Sequence, residues 1–477
     1  MKNKKILKIV FIVIFVLLCI IPSVGMAVSK QDTTSENRVL AAFPEFITEE
    51  GEFNVNFLSE FGEYFDDHFA FRKMIVAADS LIQSKLFGVS SVESVIVGTE
   101  QWLYYKDTLD NYKGQNLLSQ RAKENIVHNI SLMSEYTADN GSEFIVAIAP
   151  NKNALYGENM PYYLRSKVSQ TNDAKTVQNM LSEKGIKYVD LFELFENEEE
   201  VLYFKGDSHW NTMGAHLVYN EIMSSLNLKY NDYSDCEIKT NESFIGDLYK
   251  MVYPLSSNGE EDRYYDYEKD YTVISPDESP EAHLIVCANE KQKSSLLMYR
   301  DSFGNSLYPI FANAFSKAVF SKATPYNFSL NFNTYSPEYV VVEKVQRNLS
   351  DFAFYPPVFP SVKRGSVEEF TVDETEIEFE ASVCETNTML AQITGFIPEN
   401  VMSDSGNVFV KLSDSNEFYE CFSLSSDESD YGFKFITEKD RLSGDKITAE
   451  IFVENSGEYT KVSTIELNEK DFEEVLL

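Results

Sequence analysis

Short, wholly apolar runs, each followed by a segment of helical period, recur between Leu118 and Glu343, and this pattern constrains the fold more than any other feature of the chain. Glu143-Phe-Ile-Val-Ala-Ile-Ala149 is closed by Pro150 and offers no polar face, the signature of a central strand covered on both sides. Further strands are expected at Lys187–Leu191, Ser294–Tyr299, Ala318–Phe320 and Tyr339–Glu343. Helices are expected at Leu118–Asn140, Asp173–Glu183, Thr212–Ser224 and between Ser302 and Phe315. Strands that alternate with helices imply an α/β domain, a parallel sheet flanked by helices. A long acidic, Tyr-rich stretch at 228–282 interrupts the alternation and is expected to cover or border a site, or to form a solvated excursion.

After Pro356-Pro-Val-Phe-Pro360 the helical period gives way to alternation of period two, as in Val408-Phe-Val-Lys-Leu412 and Ile447-Thr-Ala-Glu-Ile-Phe-Val453. Turn signals such as Asp404-Ser-Gly406 separate the runs, so residues 363–477 are expected to form a C-terminal β-sandwich domain. Residues 365–477 hold 27 acidic and 7 basic side chains, a net charge of −20. Earlier in the chain, Phe53, Phe57, Phe61, Tyr64 and Phe65 recur at helical spacing and read as core.

Charge narrows the partners. The whole chain carries a net charge of −35, which repels a polyphosphate, so no nucleic acid is expected. The N-terminus, Met1-Lys-Asn-Lys-Lys5, precedes an almost unbroken apolar run from Ile9 to Val28, about the length that crosses a bilayer. Residues 1–29 are therefore expected to be a single-pass membrane anchor, or a signal segment cleaved after Ala27. The leading lysines keep the N-terminus cytoplasmic and everything beyond Ser29 outside. Four cysteines follow the anchor; they allow the pairs Cys236 with Cys287 and Cys384 with Cys421, or four buried thiols. Asp207, His209 and His216 do not form a zincin pattern, and neither a metal nor another cofactor is expected. His68, His128 and His283 read as surface or capping residues.

Two segments carry reactive side chains. In Leu296-Leu-Met-Tyr-Arg-Asp-Ser-Phe-Gly-Asn305 an apolar strand runs straight into Asp301-Ser302 and a helix. A serine at such a turn, on the carboxyl edge of a parallel sheet, is raised into a crevice as a nucleophile; the plainer use of Asp301 or Ser302 is a helix cap. In Lys205-Gly-Asp-Ser-His-Trp-Asn211 an extended backbone would aim Asp207 and His209 to one face, where a carboxylate fixes the tautomer of a basic imidazole. A third segment, Ala149-Pro-Asn-Lys-Asn153, ends another strand.

Together these segments resemble the AlgX/AlgJ-type alginate O-acetylation proteins and the related DHHW proteins, which carry an SGNH-hydrolase-like domain. The resemblance runs over about 40–350 through Arg38-Val-Leu-Ala-Ala-Phe-Pro44, Asp67-His-Phe-Ala-Phe-Arg72, Val97-Gly-Thr-Glu-Gln-Trp-Leu-Tyr104, Gly206-Asp-Ser-His-Trp210, Arg300-Asp-Ser-Phe-Gly304 and Pro337-Glu-Tyr-Val-Val-Val-Glu343. It implies an SGNH-hydrolase-like catalytic domain over 30–362 and a catalytic triad of Ser302, His209 and Asp207. The motifs do not identify the other oxyanion donors; Asn151 and the backbone N–H of Ser302 are the candidates, and Lys152 is either a substrate contact or a solvated lysine at a strand end. Ser208 stands where DHHW members have His. The implied activity is extracytoplasmic O-acetyl transfer, or acetyl ester hydrolysis, on a cell-surface or secreted polysaccharide. An MBOAT-type membrane acyltransferase would be the acetyl source, and the sandwich would bind carbohydrate. The rival is a non-catalytic polysaccharide-binding or scaffold protein of the same assembly.

Overall fold

The computed structural model describes residues 2–28, 41–48, 51–68, 70, 72–442, 447–467 and 472. They form two compact units. The smaller comprises Met1–Lys106, Lys205–Asp207 and Ser243–Glu260, and the larger Asp107–Phe204, Ser208–Glu242 and Glu261–Leu477.

The smaller unit begins with α1 (Lys2–Val28), whose described side chains from Lys5 to Leu17 are exposed. Among the described residues no helix is long and apolar enough to cross a membrane. The side chains of Leu18, Cys19, 21–24 and 26–28, on which the anchor and cleavage expectations also fall, lie outside the described residues, as does the stretch after Val28. Helices α2 (Phe57–His68) and α3 (Arg72–Ile82) follow. Of the aromatic ladder expected as core, Phe57, Phe61, Tyr64 and Phe65 lie on α2; Phe57, Tyr64 and Phe65 are half-buried, whereas Phe53 and Phe61 are exposed. Phe43, Phe46, Phe53 and Phe57 pack edge to face on one another, yet Phe46 is 58% and Phe53 59% exposed. A hairpin of β1 (Val95–Val97) and β2 (Leu103–Tyr105) packs Val95 and Leu103 against Leu248 and Val252 of the helix Asp247–Val252. Its turn places Glu100 and Gln101 at φ 51° and 70°, a left-handed conformation that costs roughly 1–2 kcal/mol per non-glycine residue.

The larger unit contains α4 (Gln120–Asp139), β3 (Glu143–Ala149), α5 (Asp173–Glu183), β4 (Tyr188–Val189), α6 (Thr212–Ser225), β5 (Thr272–Val273), β6 (Leu284–Ala288), β7 (Ser295–Tyr299), α7 (Tyr308–Ala314), β8 (Lys317–Ser321) and β9 (Tyr339–Val345). These strands form one seven-stranded sheet in the order β4-β3-β9-β7-β8-β6-β5. The five strands from β4 to β8 are mutually parallel, with registers such as Val345 opposite Ala149 and Val342 opposite Tyr299. The sheet is not parallel throughout: β6 pairs antiparallel with β8 and β5 antiparallel with β6. Strand β6 was not expected, although its Leu-Ile-Val-Cys run is β-branched and apolar; it directly follows the polar stretch and has no turn signal of its own.

Alternation along the strands builds a core on each face. Ile145, Ala147 and Ala149 join α6 and α7, while Phe144, Val146 and Ile148 join α4 and α5. The second core also takes in Cys384, Leu390, Phe422 and Ile436 from the C-terminal strands, so the two parts share apolar packing. Between Val362 and Leu467 those strands make a six-stranded and a four-stranded sheet, with Val410, Ile451, Phe433 and Phe435 buried in the sandwich core. Polar contacts complete the junction. Asn129 Nδ2 donates to the carbonyls of Phe352 and Ser423, and His128 pairs with Glu420 at 3.0 Å and with Ser423 Oγ at 2.8 Å. His128 is thus a joint between helix and sandwich, not a surface residue.

Of the two alternatives the structure has the free thiols: neither allowed pair forms, and Cys287, Cys384 and Cys421 are buried while Cys236 is half-buried. Cys384 sits in the core beneath α4 and Cys421 in the core of the sandwich, so the two thiols face different interiors. Cys236 lies beside Tyr233 and Tyr267, whereas Cys287 lies beside Tyr271 and Tyr308. Burial pushes the Cys287 thiol up to about 12 and that of Cys384 to about 11, so both stay protonated.

Candidate active site

Ser302 stands where the sheet's central strand ends. Strand β7 is buried and flanked by parallel neighbours, and its exit is held by Asp301. Asp301 Oδ1 accepts the Phe303 N–H at 2.9 Å, Oδ2 accepts the Val345 N–H at 2.8 Å, and the Asp301 N–H donates to Glu343 Oε2 at 3.1 Å. Burial, then the Asp301 carboxylate, hold the Glu343 carboxyl well above the usual range, so it does not add a second charge beneath the turn. Arg300 is 1% exposed and braces the turn from below, with Nη1 donating to Asn305 Oδ1 at 2.6 Å and Nη2 to the Pro280 carbonyl at 2.9 Å. A Cβ on Gly304 would meet Arg300 Cβ at 2.6 Å, so only glycine lets the chain turn back over that side chain.

The turn after Ser302 differs from the expected single helix. A one-turn 3₁₀ segment, Phe303–Asn305, precedes the short α7, and Ser302 itself has helical φ and ψ of −69° and −22°. Its hydroxyl makes no cap to that turn. The capping-type bond belongs to Asp301, which leaves Ser302 Oγ directed at His209.

His209 Nε2 lies 2.8 Å from Ser302 Oγ. Residues 205–209 form a run of bends rather than the extended segment expected, and the loop is closed by a bridge between Tyr203 and Trp210. The Asn211 N–H donates to the Leu202 carbonyl at 2.9 Å, while Asn211 Oδ1 caps α6 by accepting the Gly214 N–H. Trp210 is 1% exposed and donates from Nε1 to Ser306 Oγ at 2.7 Å. Its ring meets Phe303 edge to face at 4.9 Å, and the His209 ring meets Phe303 at 4.7 Å. Phe303, next to Ser302 in the chain, thus packs against both the His209 and the Trp210 rings. The other ring nitrogen, Nδ1, is 3.2 Å from Ser208 Oγ.

Asp207 belongs to the smaller unit, where it is 7% exposed and its Oδ2 accepts the Asp247 N–H at 2.8 Å. Asp247 comes from the acidic stretch expected to border a site. The Asp207 loop is held further by Glu260, which accepts the N–H groups of Lys205 at 2.7 Å and Gly206 at 2.9 Å.

Asn151 and Lys152 follow β3, on the sheet edge from which Ser302 also emerges. Strand β9 lies between, so the two exits are roughly 10 Å apart. Asn151 is 1% exposed, its N–H donating to Gln346 Oε1 at 3.1 Å. Lys152 is 4% exposed, and its Nζ donates to the Phe204 carbonyl at 3.1 Å. It braces the loop that carries His209 instead of facing solvent. His216, weighed above as a metal ligand, is buried among Tyr233, Tyr265 and Tyr267, and burial lowers it to about 4. Arg347, which sequence reading passed over, places its guanidinium 5.6 Å from the Phe303 ring centre. The available signal was its position just past an apolar strand, at the edge where α/β sheets bind ligands.

Residues 95–285 match the family model for the SGNH hydrolase-like domain of the acetyltransferase AlgX. The matched span contains Asp207 and His209 and ends before Ser302. No curated protein matches the chain. Among solved structures, Bacillus cereus PatB1 is similar at a TM-score of 0.44 and 18% identity, covering 54% of this chain and 96% of that one. The O-acetyltransferase domain of Pseudomonas putida AlgJ gives 0.36 at 17% identity, covering 54% and 92%. Pseudomonas aeruginosa AlgX gives 0.35 at 14% identity, covering 82% and 94%.

Proposed function

We propose, from residues 95–285 being an SGNH hydrolase-like domain of the AlgX acetyltransferase family, that the chain transfers acetyl groups through Ser302 to a hydroxyl of a cell-surface or secreted polysaccharide. The observation that carries this reading is the 2.8 Å approach of His209 Nε2 to Ser302 Oγ. With the proton on Nδ1, the Nε2 lone pair faces the serine hydroxyl and serves as general base. Ser302 Oγ attacks the acetyl carbonyl carbon as its proton passes to Nε2, and the carbonyl π electrons move onto oxygen. Collapse of that oxyanion expels the donor's leaving group, which takes the proton from the imidazolium.

The acyl-enzyme is then attacked by a sugar hydroxyl, deprotonated by the same nitrogen, and Ser302 departs with its proton restored. Water in place of the sugar would make the activity an acetyl ester hydrolysis. Asp207 is assigned the third position, orienting His209. Asn151 and the Ser302 backbone N–H are assigned to the oxyanion. The apolar stretch of α1 and the lysines of its first turns support a tether that holds the domain outside the membrane, where an MBOAT-type acyltransferase would supply acetyl groups. The acidic C-terminal sandwich would engage a neutral or amino-sugar polymer more readily than an acidic one.

The test is turnover of an activated acetyl ester by the full chain, with intact-mass detection of an acetyl adduct. Ser302→Ala is expected to lower turnover at least about a thousandfold and to abolish the adduct. Turnover that survives the substitution would overturn the serine mechanism. Absence of turnover and adduct in the native chain would leave a binding or scaffold role.

A further inference from the structure

The smaller unit contains a cavity of about 340 Å³, within the roughly 300–1,000 Å³ range of small-ligand pockets, whose wall runs through Gly206, the residue before Asp207. Its lining includes Gln101, Lys205, Tyr249, Tyr253, Asn258 and Glu260. We infer that this cavity is a saccharide subsite that takes one neutral pyranose ring of the acceptor. The assignment of the ring to the acceptor rests on the acyl-transfer reading; the saccharide site itself rests on the cavity.

Three features of the cavity argue for a sugar. Tyr249 and Tyr253 lie one helical turn apart, with ring centres 4.7 Å from each other and planes at 50°, and they give the cavity aromatic faces. Aromatic faces take the C–H side of a pyranose, and the Tyr249 hydroxyl is oriented by Ser256 Oγ at 3.0 Å. Around these rings stand the amides of Gln101 and Asn258, each offering a donor and an acceptor to neighbouring hydroxyls. Gln101 is carried there by a hairpin turn with φ of 70°, a position that glycine or asparagine would occupy more easily.

The charged groups of the cavity are engaged in ways that suit a neutral ligand. Glu260 uses both oxygens on the backbone N–H groups of Lys205 and Gly206. The Lys85 ammonium lies 6.0 Å from the centre of the Tyr253 ring, and that of Lys205 lies 6.0 Å from that of Trp102. The chain's net charge of −35 disfavours a polyanion at any of its surfaces. The cavity is joined to the Asp207 loop by main-chain bonds. The Tyr249 N–H donates to the Gly206 carbonyl at 2.8 Å, and the Leu103 N–H to the Lys205 carbonyl at 2.9 Å. A Cβ on Gly246 would come within 2.3 Å of the Gly206 carbonyl oxygen, so that glycine permits the close approach.

The test is calorimetric titration of the full chain, purified in mild detergent, with cellohexaose and chitohexaose as neutral probes and a hexamannuronate as the acidic one. Saturable binding of a neutral hexamer is expected, weakened at least tenfold by Tyr253→Ala and several-fold by Gln101→Ala, with Tyr253→Phe restoring most of the affinity. Gln101 is exposed, so its variant keeps the test informative if the tyrosine variant fails to fold. Neutral binding that neither substitution changes, tighter binding of the acidic hexamer, or no binding of either neutral probe would overturn the proposal. Formation of acetyl-Ser302 is scored separately. Glycan binding that depends on Tyr253 without any adduct would retain the subsite and remove the acyl-transfer reading, while an adduct without glycan binding would do the reverse.

Discussion

Phenylalanine fills both units of this chain, to opposite effect. In the larger unit Phe303, Phe311, Phe315 and Phe320 are 0 to 1% exposed, and each meets another ring or an apolar strand. In the smaller unit Phe43, Phe46 and Phe53 are 58 to 60% exposed although they meet one another or the rings of Phe57, Phe61 and Tyr64. Helical spacing made the run from Phe53 to Phe65 look like core. Periodicity reports that a helix has an apolar face; it does not report that another element covers it. A face that stays open beyond a few scattered residues marks a surface for something else, and here it follows closely on the exposed apolar helix α1.

The comparison can be broken most sharply at Phe303. Phe303→Ala should cost about 3–5 kcal/mol, because it opens a cavity under a fully buried ring, and should also lower acetyl ester turnover by freeing the His209 ring. Thermal unfolding and turnover measured on the same preparation check both; a change under 1 kcal/mol would mean that the larger core is not as closed as the packing shows.

A smaller effect is expected at the joint between α4 and the sandwich. Burial by itself would raise the Glu420 carboxyl, but His128 and then Arg364 pull it down from 4.5 to about 2. A carboxyl with a depressed folded value stabilises the protein above its unfolded value, and that contribution is lost as pH falls through the folded one. Stability should therefore drop between pH 4.5 and about 2, by roughly 3 kcal/mol from this group. Denaturant titrations across that range should show a shallower slope for Glu420→Gln. An identical slope would mean that the His128–Glu420–Arg364 contacts, which continue to Glu135, do not hold the joint.

The least perturbing change should lie in the smaller unit. Phe53→Ser combined with Leu58→Ser, at positions 59% and 81% exposed, should shift the unfolding free energy by no more than about 0.5 kcal/mol per site. It should instead reduce self-association in detergent-free buffer, read by sedimentation. A large loss of stability would place these side chains in a core and collapse the distinction between the units.

Much of the larger unit was legible because its signals are local. Expected Leu118–Asn140 became Gln120–Asp139, capped by Ser119 Oγ accepting the Ala122 N–H, and expected Asp173–Glu183 was found unchanged. Strands β3, β7, β8 and β9 fell within two residues of their apolar runs. The reactive turns were legible for the same reason, since Asp301-Ser302 directly follows a buried strand and His209 lies just ahead of a capped helix. Strand β6 escaped because its short apolar run carries no period that separates strand from helix, and its direction is set by β8, 29 or more residues on.

The sequence by itself determined which segments bury both faces, where the period changes from helix to strand, and which side chains are chemically able to act. Each of these is written in neighbours a few residues apart. Only the tertiary structure decided that His209 and Ser302, 93 residues apart, share a hydrogen bond, that Lys152 braces the histidine loop, and that the four thiols stay unpaired. Such distances follow from the order and direction of strands in a sheet, which ladder hydrogen bonds and the packing of both faces settle together and which no local run of residues encodes.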